Sequence, residues 1–161
     1  MAKLVMKNKT YKTKVALYNV LAYIVENSES LGGCGISISS TNIIYCEFEA
    51  IKRIWMKPEE GKRQVKHFYV SFGRKEIGYK MVLQIAWTIA EYYGKRYQVL
   101  YGIHTDTANL HIHYAINTVS FVDGKMLSEG YDDFQKLNNE IQEIVRDYKK
   151  CYKSKLHRTC S

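Results

Sequence analysis

Hydrophobic residues recur along the chain with two different periods, and each period predicts a different kind of element. Four segments carry apolar residues every three or four positions, which is typical of helices that bury one face. They are residues 13–27, 43–57, 79–93 and 134–148. Between them, apolar and polar residues alternate over shorter segments, which is typical of strands. These segments are residues 65–72, 96–104 and 110–121.

Polar and conformationally special residues separate the periodic segments. The Gly- and Ser-rich residues 28–42 predict a loop with room for a short strand, and Ser40 or Thr41 is suited to cap the helix that follows. Pro58, the only proline, is expected to end that helix, and Gly94 the next one. Helices interleaved with strands predict an α+β fold with one main sheet. We expect one domain over residues 1–161.

The charge balance indicates which kind of partner the protein binds. Lys and Arg number 24 against 16 Asp and Glu, with basic segments at residues 7–14 and 149–158. This excess favours a polyanionic partner, nucleic acid before a membrane. No apolar run approaches the length of a membrane span, and the N-terminus lacks the apolar core of a signal peptide. A cytoplasmic protein is therefore expected. Its four cysteines include no CxxC pair, and in the cytosol they are expected to be reduced thiols.

Three of the five histidines fall within residues 104–117, HTDTANLHIHYAIN. On a strand, alternate side chains share a face, so His111 and His113 lie side by side, and His104 ends the neighbouring strand. Imidazole is a favoured ligand of transition metals, and three ligands leave coordination positions open for a substrate. The pattern therefore predicts a catalytic metal site. The alternative is an ordinary polar strand face that happens to carry histidines.

The same stretch resembles the third motif of conjugative relaxases, the plasmid-mobilisation nickases of the HUH endonuclease superfamily. The similarity covers the first histidine and the run D-x-x-N-L-H-x-H-x-x-x-N that ends at Asn117. HFYVSF at 67–72 resembles the second motif of this family, and VLAYIVEN at 20–27 resembles the first. The chain departs from the pattern at Ala108, where many relatives carry an acidic residue. It also lacks their usual C-terminal extension, so it is either a small relaxase or the N-terminal part of a longer protein.

The resemblance implies a fold, a substrate and a cofactor. The fold is a central antiparallel sheet flanked by helices. The substrate is single-stranded DNA at a plasmid or transposon origin of transfer, bound with accessory relaxosome proteins and without a membrane. The cofactor is a divalent metal ion, Mn or Mg, or else Zn or another transition metal, held by His104, His111 and His113. The DNA is nicked and rejoined through a 5′-phosphotyrosyl intermediate.

The resemblance also implies residues that contact DNA. Ser71 matches the serine of the second motif, which contacts DNA near the cleaved phosphate. His67 shares its strand face and is a further candidate, although it also has the pattern of an ordinary polar strand residue. Asn117, the last residue of the third motif, is expected to contact DNA as well.

The nucleophile must be chosen among 14 tyrosines. A phenol with a free pKa of about 10 is mostly protonated at neutral pH and needs a base, for which Asp106 is the candidate, directly or through a histidine or water. Helical periodicity places Tyr18 and Tyr23 on opposite flanks of the apolar stripe of the first helix and does not choose between them. The resemblance favours Tyr23, and Tyr11 ranks third.

Two other functions stay open on the sequence. Rolling-circle replication initiators share the catalytic arrangement of relaxases, so a role in replication is the nearest alternative. A module that binds single-stranded nucleic acid without cleaving it, with a vestigial histidine group, is the non-enzymatic alternative, and Ala108 keeps it open. Nicking of supercoiled plasmid DNA with added manganese separates an enzyme from a binding module.

Overall fold

A computed structural model describes residues 1–7, 10–58, 61–73 and 77–159 of the chain, with side chains as far as Lys153. The described residues form strands and helices in the order β1 (Lys3–Met6), α1 (Lys14–Asn27), β2 (Ser30–Cys34), α2 (Thr41–Trp55), β3 (Val65–Gly73), α3 (Tyr79–Gly94), β4 (Val99–His104), β5 (Asn109–Asn117) and α4 (Tyr131–Thr159).

The strands form one five-stranded sheet in the order β1-β3-β5-β4-β2. Every neighbouring pair is antiparallel. The predicted α+β class and the antiparallel pairing of β4 with β5 are therefore confirmed. Strand β1 was not predicted from the sequence. It is a four-residue edge strand, too short to show a reliable alternation of apolar and polar residues.

The helix ends follow from capping residues. The Thr13 side chain accepts a hydrogen bond from the Ala16 backbone amide at the start of α1. Of the two residues suited to cap α2, Ser40 is the cap. Helix α2 ends at Trp55, three residues before Pro58, because Met56 turns into the left-handed conformation at φ 51°.

Two helices cover each face of the sheet. Helices α3 and α4 pack on one face over apolar residues of β3, β4 and β5, and this packing forms the larger part of the core. Helices α1 and α2 pack on the other face over three buried strand residues, Val65, Leu100 and Ala115. The apolar set predicted for β5 is buried as expected. Its members are Leu110, Ile112, Tyr114 and Ile116.

Some expectations fall partly outside the described residues. The basic segments include Asn8, Lys9 and the side chains after Lys153, which lie outside them. Cys34 and Cys46 are free thiols, as expected, and Cys160 lies outside the described part. None of the described helices is long and apolar enough to cross a membrane.

Candidate active site

Strand pairing brings four histidines together on the face of the sheet that α1 covers. His111 lies opposite His104 on one side and Ser71 on the other. His113, two residues further along β5, lies opposite Tyr69 of β3. The ring of His113 stacks on that of His104 at 4.3 Å between centroids and lies 5.4 Å from that of His67. We call His67, His104, His111 and His113 the histidine cluster.

Tyr23 lies over the histidine cluster. Its ring centroid is 5.2 Å from that of His104, 5.3 Å from that of His113 and 6.3 Å from that of His67. Helix α1 buries Leu17, Val20, Leu21 and Ile24, and Tyr23 borders this stripe with 43% of its surface exposed. The phenol is thus beside the histidines and open to a substrate.

The other two candidate tyrosines occupy different positions. Tyr18 donates a hydrogen bond to Asn42 at 3.0 Å and packs edge-on against Tyr45, so it faces α2 rather than the histidines. Tyr11 lies before α1 and touches the cluster from the side through His67. The structure therefore distinguishes Tyr23 from Tyr18, which helical periodicity did not.

A chain of hydrogen bonds runs through the buried part of the cluster. His67 Nε2 lies 3.1 Å from His113 Nδ1, and His67 Nδ1 lies 3.0 Å from the Tyr11 hydroxyl. His67 is 5% exposed, so both of its ring nitrogens are used inside the protein. The sequence suggested a DNA contact for this residue, and the structure places it beneath the surface as a link between Tyr11 and His113.

The cluster has the donor types that a divalent metal ion requires. His104 is 1% exposed, and its Nε2 atom is buried with no hydrogen-bond partner. The Nδ1 atom of His113 is hydrogen-bonded to His67, and that of His111 lies 3.1 Å from the Thr107 hydroxyl. The Nε2 atoms of both residues are therefore the ones available to a metal. An unpaired buried nitrogen between imidazoles fits a metal ligand. The rings do not converge, however: within the described ranges no three His, Cys, Asp or Glu side chains are arranged to hold a metal.

Burial sets the protonation of these groups. It lowers the pKa of His104, His111 and His113, and the neighbouring His104 and His67 lower that of His113 further. These three histidines are therefore neutral at physiological pH, as metal ligands must be. Burial also raises the pKa of Tyr23, and the charge of Asp106 adds to this effect. The phenol stays protonated and needs a base to become a nucleophile.

The remaining predicted residues near the cluster are Asp106 and Ser71. Asp106 is exposed in the turn between β4 and β5, close enough to Tyr23, His104 and His111 to affect the pKa of each. Ser71 lies on β3, half-buried and opposite His111. Both residues lie at the border of the cluster.

Asn117 does not belong to this group. The residue is fully buried, and its side-chain amide donates to the Phe48 carbonyl at 3.1 Å and to Gln98 at 2.8 Å. The DNA contact of Asn117 stays a prediction, and in this structure its side chain has no exposed surface. The strand alternation correctly put Asn117 on the histidine face, but α2 covers that end of the face.

Two features of the site were not anticipated from the sequence. The Tyr69 ring stacks on His113 at 5.1 Å, and the Lys7 ammonium lies 5.1 Å from the Tyr69 centroid. Beside Tyr11 and His67 opens a cleft of about 350 Å³, whose lining includes Lys7, Lys12 and Arg63. The cluster of lysines at 7–14 is visible in the sequence, but its proximity to Arg63 and to the histidines depends on the fold.

The fold and the site define a class of protein: a basic α+β domain that presents neutral histidines and one half-exposed phenol on one face of an antiparallel sheet. The chain matches the model of the family "Relaxase: MobA/VirD2-like, nuclease domain" over residues 22–150 of its 161, and it belongs to this family. The match includes Tyr23, while Tyr11 and Tyr18 precede it. No curated protein and no solved structure matches the chain.

Membership of this family gives the general activity. The chain carries a relaxase nuclease domain, which nicks DNA in plasmid mobilisation and binds single-stranded DNA.

Proposed function

We propose that this chain nicks and rejoins one DNA strand at a specific site in a plasmid or transposon origin of transfer, through a covalent bond to Tyr23. The observation that carries the proposal is the position of the Tyr23 ring, which lies within 5.3 Å of the rings of both His104 and His113. The Tyr23 side chain is half-exposed, whereas the Tyr18 hydroxyl donates a hydrogen bond to Asn42.

The reaction is a transesterification. The Tyr23 oxygen attacks the phosphorus of the scissile phosphodiester, a new P–O bond to the phenol forms, and the bond from phosphorus to the 3′ oxygen breaks. The phenol proton passes to a base, and the departing 3′ oxygen takes a proton to become a free hydroxyl. Because the phosphotyrosyl ester conserves the energy of the broken bond, a 3′-hydroxyl can reverse the step and release the enzyme.

Asp106 is the proposed base. It is the carboxylate whose charge acts on Tyr23, and it lies exposed at the border of the histidine cluster. The same proximity that raises the pKa of the phenol gives its proton an acceptor, directly or through one water molecule.

His104, His111 and His113 are the proposed ligands of a divalent ion, Mn²⁺ or Mg²⁺, or Zn²⁺ or another transition metal. When bound, the ion would neutralise charge on the scissile phosphate and make its phosphorus more electrophilic. The unpaired Nε2 of buried His104 supports this assignment, and binding would have to draw the three rings together.

The cleft lined by Lys7, Lys12 and Arg63 is proposed to hold the DNA backbone next to the site, with Ser71 contacting the phosphate near Tyr23. Accessory proteins are expected to open the duplex at the origin. Because the matched family model is one of relaxases, we favour transfer over replication as the role of this nick.

The covalent intermediate provides the test. Incubation with an origin strand and Mn²⁺ should give a protein–DNA adduct that survives denaturation, and an added strand with a 3′-hydroxyl should release it as rejoined DNA. Tyr23→Phe removes one oxygen and should abolish the adduct while metal and DNA binding persist. Tyr18→Phe is the matched control on the same helix and should leave the adduct yield unchanged.

Two results would contradict the proposal at different levels. Adduct formation by Tyr23→Phe but not by Tyr18→Phe would reassign the nucleophile and keep the mechanism. Cleavage of the origin strand by the wild-type protein without any adduct would remove the tyrosine mechanism itself.

A further inference from the structure

The buried hydrogen bonds that start at His113 determine which of its ring nitrogens can bind a metal. A histidine binds a metal through a nitrogen that carries no proton, and its other nitrogen then carries the proton. In His113, Nδ1 is 3.1 Å from His67 Nε2, so only Nε2 is available to a metal. With a metal on Nε2, Nδ1 is the protonated nitrogen and donates to His67.

The same requirement passes to Tyr11. If His67 accepts a hydrogen bond at Nε2, a neutral His67 carries its own proton on Nδ1 and needs an acceptor there. The Tyr11 hydroxyl oxygen lies 3.0 Å away and can accept it. Each hydrogen bond thus fixes the direction of the next, from His113 to His67 to Tyr11.

The backbone around Tyr11 holds this acceptor in place. Tyr11 adopts φ 41°, a conformation that non-glycine residues rarely adopt, and its carbonyl accepts a hydrogen bond from the Gln64 amide at 2.8 Å. Gln64 directly precedes β3, so the loop before α1 is tied to the strand that carries His67. Burial raises the pKa of Tyr11, so its phenol stays neutral and remains a hydrogen-bonding group.

We propose that Tyr11 and His67 are positioning residues for the metal site: their hydrogen bonds hold His113 in the tautomer with the proton on Nδ1 and thereby keep Nε2 free for the metal. The inference rests on the proposed metal site of His104, His111 and His113. It gives a role to a tyrosine that is not the nucleophile and to a histidine that is not a ligand.

Two measurements on the whole chain test this inference. Long-range ¹H–¹⁵N correlation spectra of the metal-free protein at neutral pH report which nitrogen of His113 carries the proton. Calorimetry with Mn²⁺ reports affinity. We expect the Nδ1–H form in the wild type. In Tyr11→Phe and His67→Leu we expect a shift toward the Nε2–H form and a loss of roughly 10- to 100-fold in affinity.

Matched variants separate positioning from folding. His67→Gln keeps an oxygen that can accept from His113 Nδ1 and should retain most of the affinity. Tyr18→Phe removes a phenol hydroxyl remote from the cluster and should change neither readout. Tyr11→Phe deletes a single atom from a half-buried side chain, so it tests the proposal even if His67→Leu does not fold.

The outcomes distinguish this inference from the proposed function. If Mn²⁺ binds and His111→Ala/His113→Ala abolishes binding, unchanged affinity and tautomer in Tyr11→Phe and His67→Leu would overturn the positioning role alone. If the wild type binds no metal, the metal site itself fails. In that case, a His113 ring found as Nε2–H also overturns the tautomer assignment, and an Nδ1–H ring that depends on Tyr11 upholds it.

Discussion

Burial, more than neighbouring charges, sets the pKa values of His104, His111 and His113. His113 is 5% exposed and contacts other histidines, and both its burial and these neighbours disfavour its protonated form. Tyr23 stays half-exposed, yet burial is still the largest cause of its raised pKa. His104, His111, His113 and the Tyr23 phenol are therefore neutral at physiological pH.

This burial predicts how stability depends on pH. An unfolded histidine titrates at about pH 6.5, while burial lowers the pKa of folded His113 far below that. Below about pH 6.5 the unfolded state binds more protons, so stability is complete above that pH and is lost as the pH falls. The free energy of unfolding in urea, measured with a chelator present, should fall by up to about 1.4 kcal/mol per pH unit from this one group. His113→Gln should reduce the slope, and an unchanged slope would show that other groups cause it.

The alternation of β5 predicted which residues share the histidine face, and the pairing of β4 with β5 confirmed that His104 and His111 are opposite each other. Tyr11 could not be linked to His67 in this way. It lies outside every helix and strand, and 56 positions separate the two residues along the chain. Contacts of this kind depend on the path of a loop, which periodicity does not describe.

At the scale of elements, the approach of α1 to the sheet decides where Tyr23 lies. Gly102 of β4 is the partner of His113 in the sheet, and α1 ends directly above it. A Cβ at Gly102 would lie 1.9 Å from Ser28 Oγ and 2.8 Å from Ile24 Cγ2. The absence of a side chain at this position lets the last turn of α1, with Ile24 next to Tyr23, pack closely on the sheet.

Gly102→Ala should therefore push α1 away from the histidines. We expect a loss of about 1–3 kcal/mol in the free energy of unfolding, as for other overpacked sites, and slower adduct formation, because Tyr23 moves with the helix. Denaturation and single-turnover adduct assays measure the two effects. Gly130→Ala is the matched control, since a Cβ there meets nothing within 4 Å. A Gly102→Ala protein that is destabilised but forms adduct at the normal rate would show that this approach does not set the Tyr23 position.

The elements themselves were largely readable from the sequence, with bounds that differ by a few residues. The apolar stripe of α1 appears in the structure as the buried set of that helix. Helix α2 ended early because a left-handed Met56, rather than Pro58, stops it. Strand β1 was not predicted because its four residues are stabilised by pairing with β3, a long-range interaction that local sequence patterns do not show.

At the scale of the whole molecule, charge and fold act together. The chain carries a formal charge of +8, and the cleft beside Tyr11 and His67 gathers Lys7, Lys12 and Arg63. Such a surface attracts a polyanion without reading its sequence. Phosphate contacts at this cleft would bring the strand to Tyr23 from one side.

Binding of single-stranded DNA should therefore weaken steeply with salt. If three to five phosphates are contacted, the logarithm of the affinity should fall with the logarithm of salt concentration with a slope of roughly −2 to −3.5. Fluorescence anisotropy at several salt concentrations measures this. Lys12→Gln should make the slope shallower, by roughly 0.7 for one lost contact. Lys150→Gln, on the exposed side of α4, should leave it unchanged. A flat dependence, or an equal effect of both variants, would contradict binding in the cleft.

The sequence by itself determined the class of the fold, the helices and most strands, and the grouping of His104, His111 and His113. These features depend on local periodicity or on neighbours in one hairpin, so short segments of the sequence are sufficient to predict them. The basic character and the resemblance to relaxases, which the family match confirms, were also visible at this level.

Only the tertiary structure decided which groups meet from distant parts of the chain. It placed Tyr23 over the histidines and turned Tyr18 toward α2, because the orientation of α1 depends on how its buried side chains pack against the sheet and α2. It buried Asn117 under α2, although alternation put that residue on the histidine face. Strand alternation gives the face of a sheet on which a side chain lies, but whether a helix covers it depends on contacts between residues far apart in sequence.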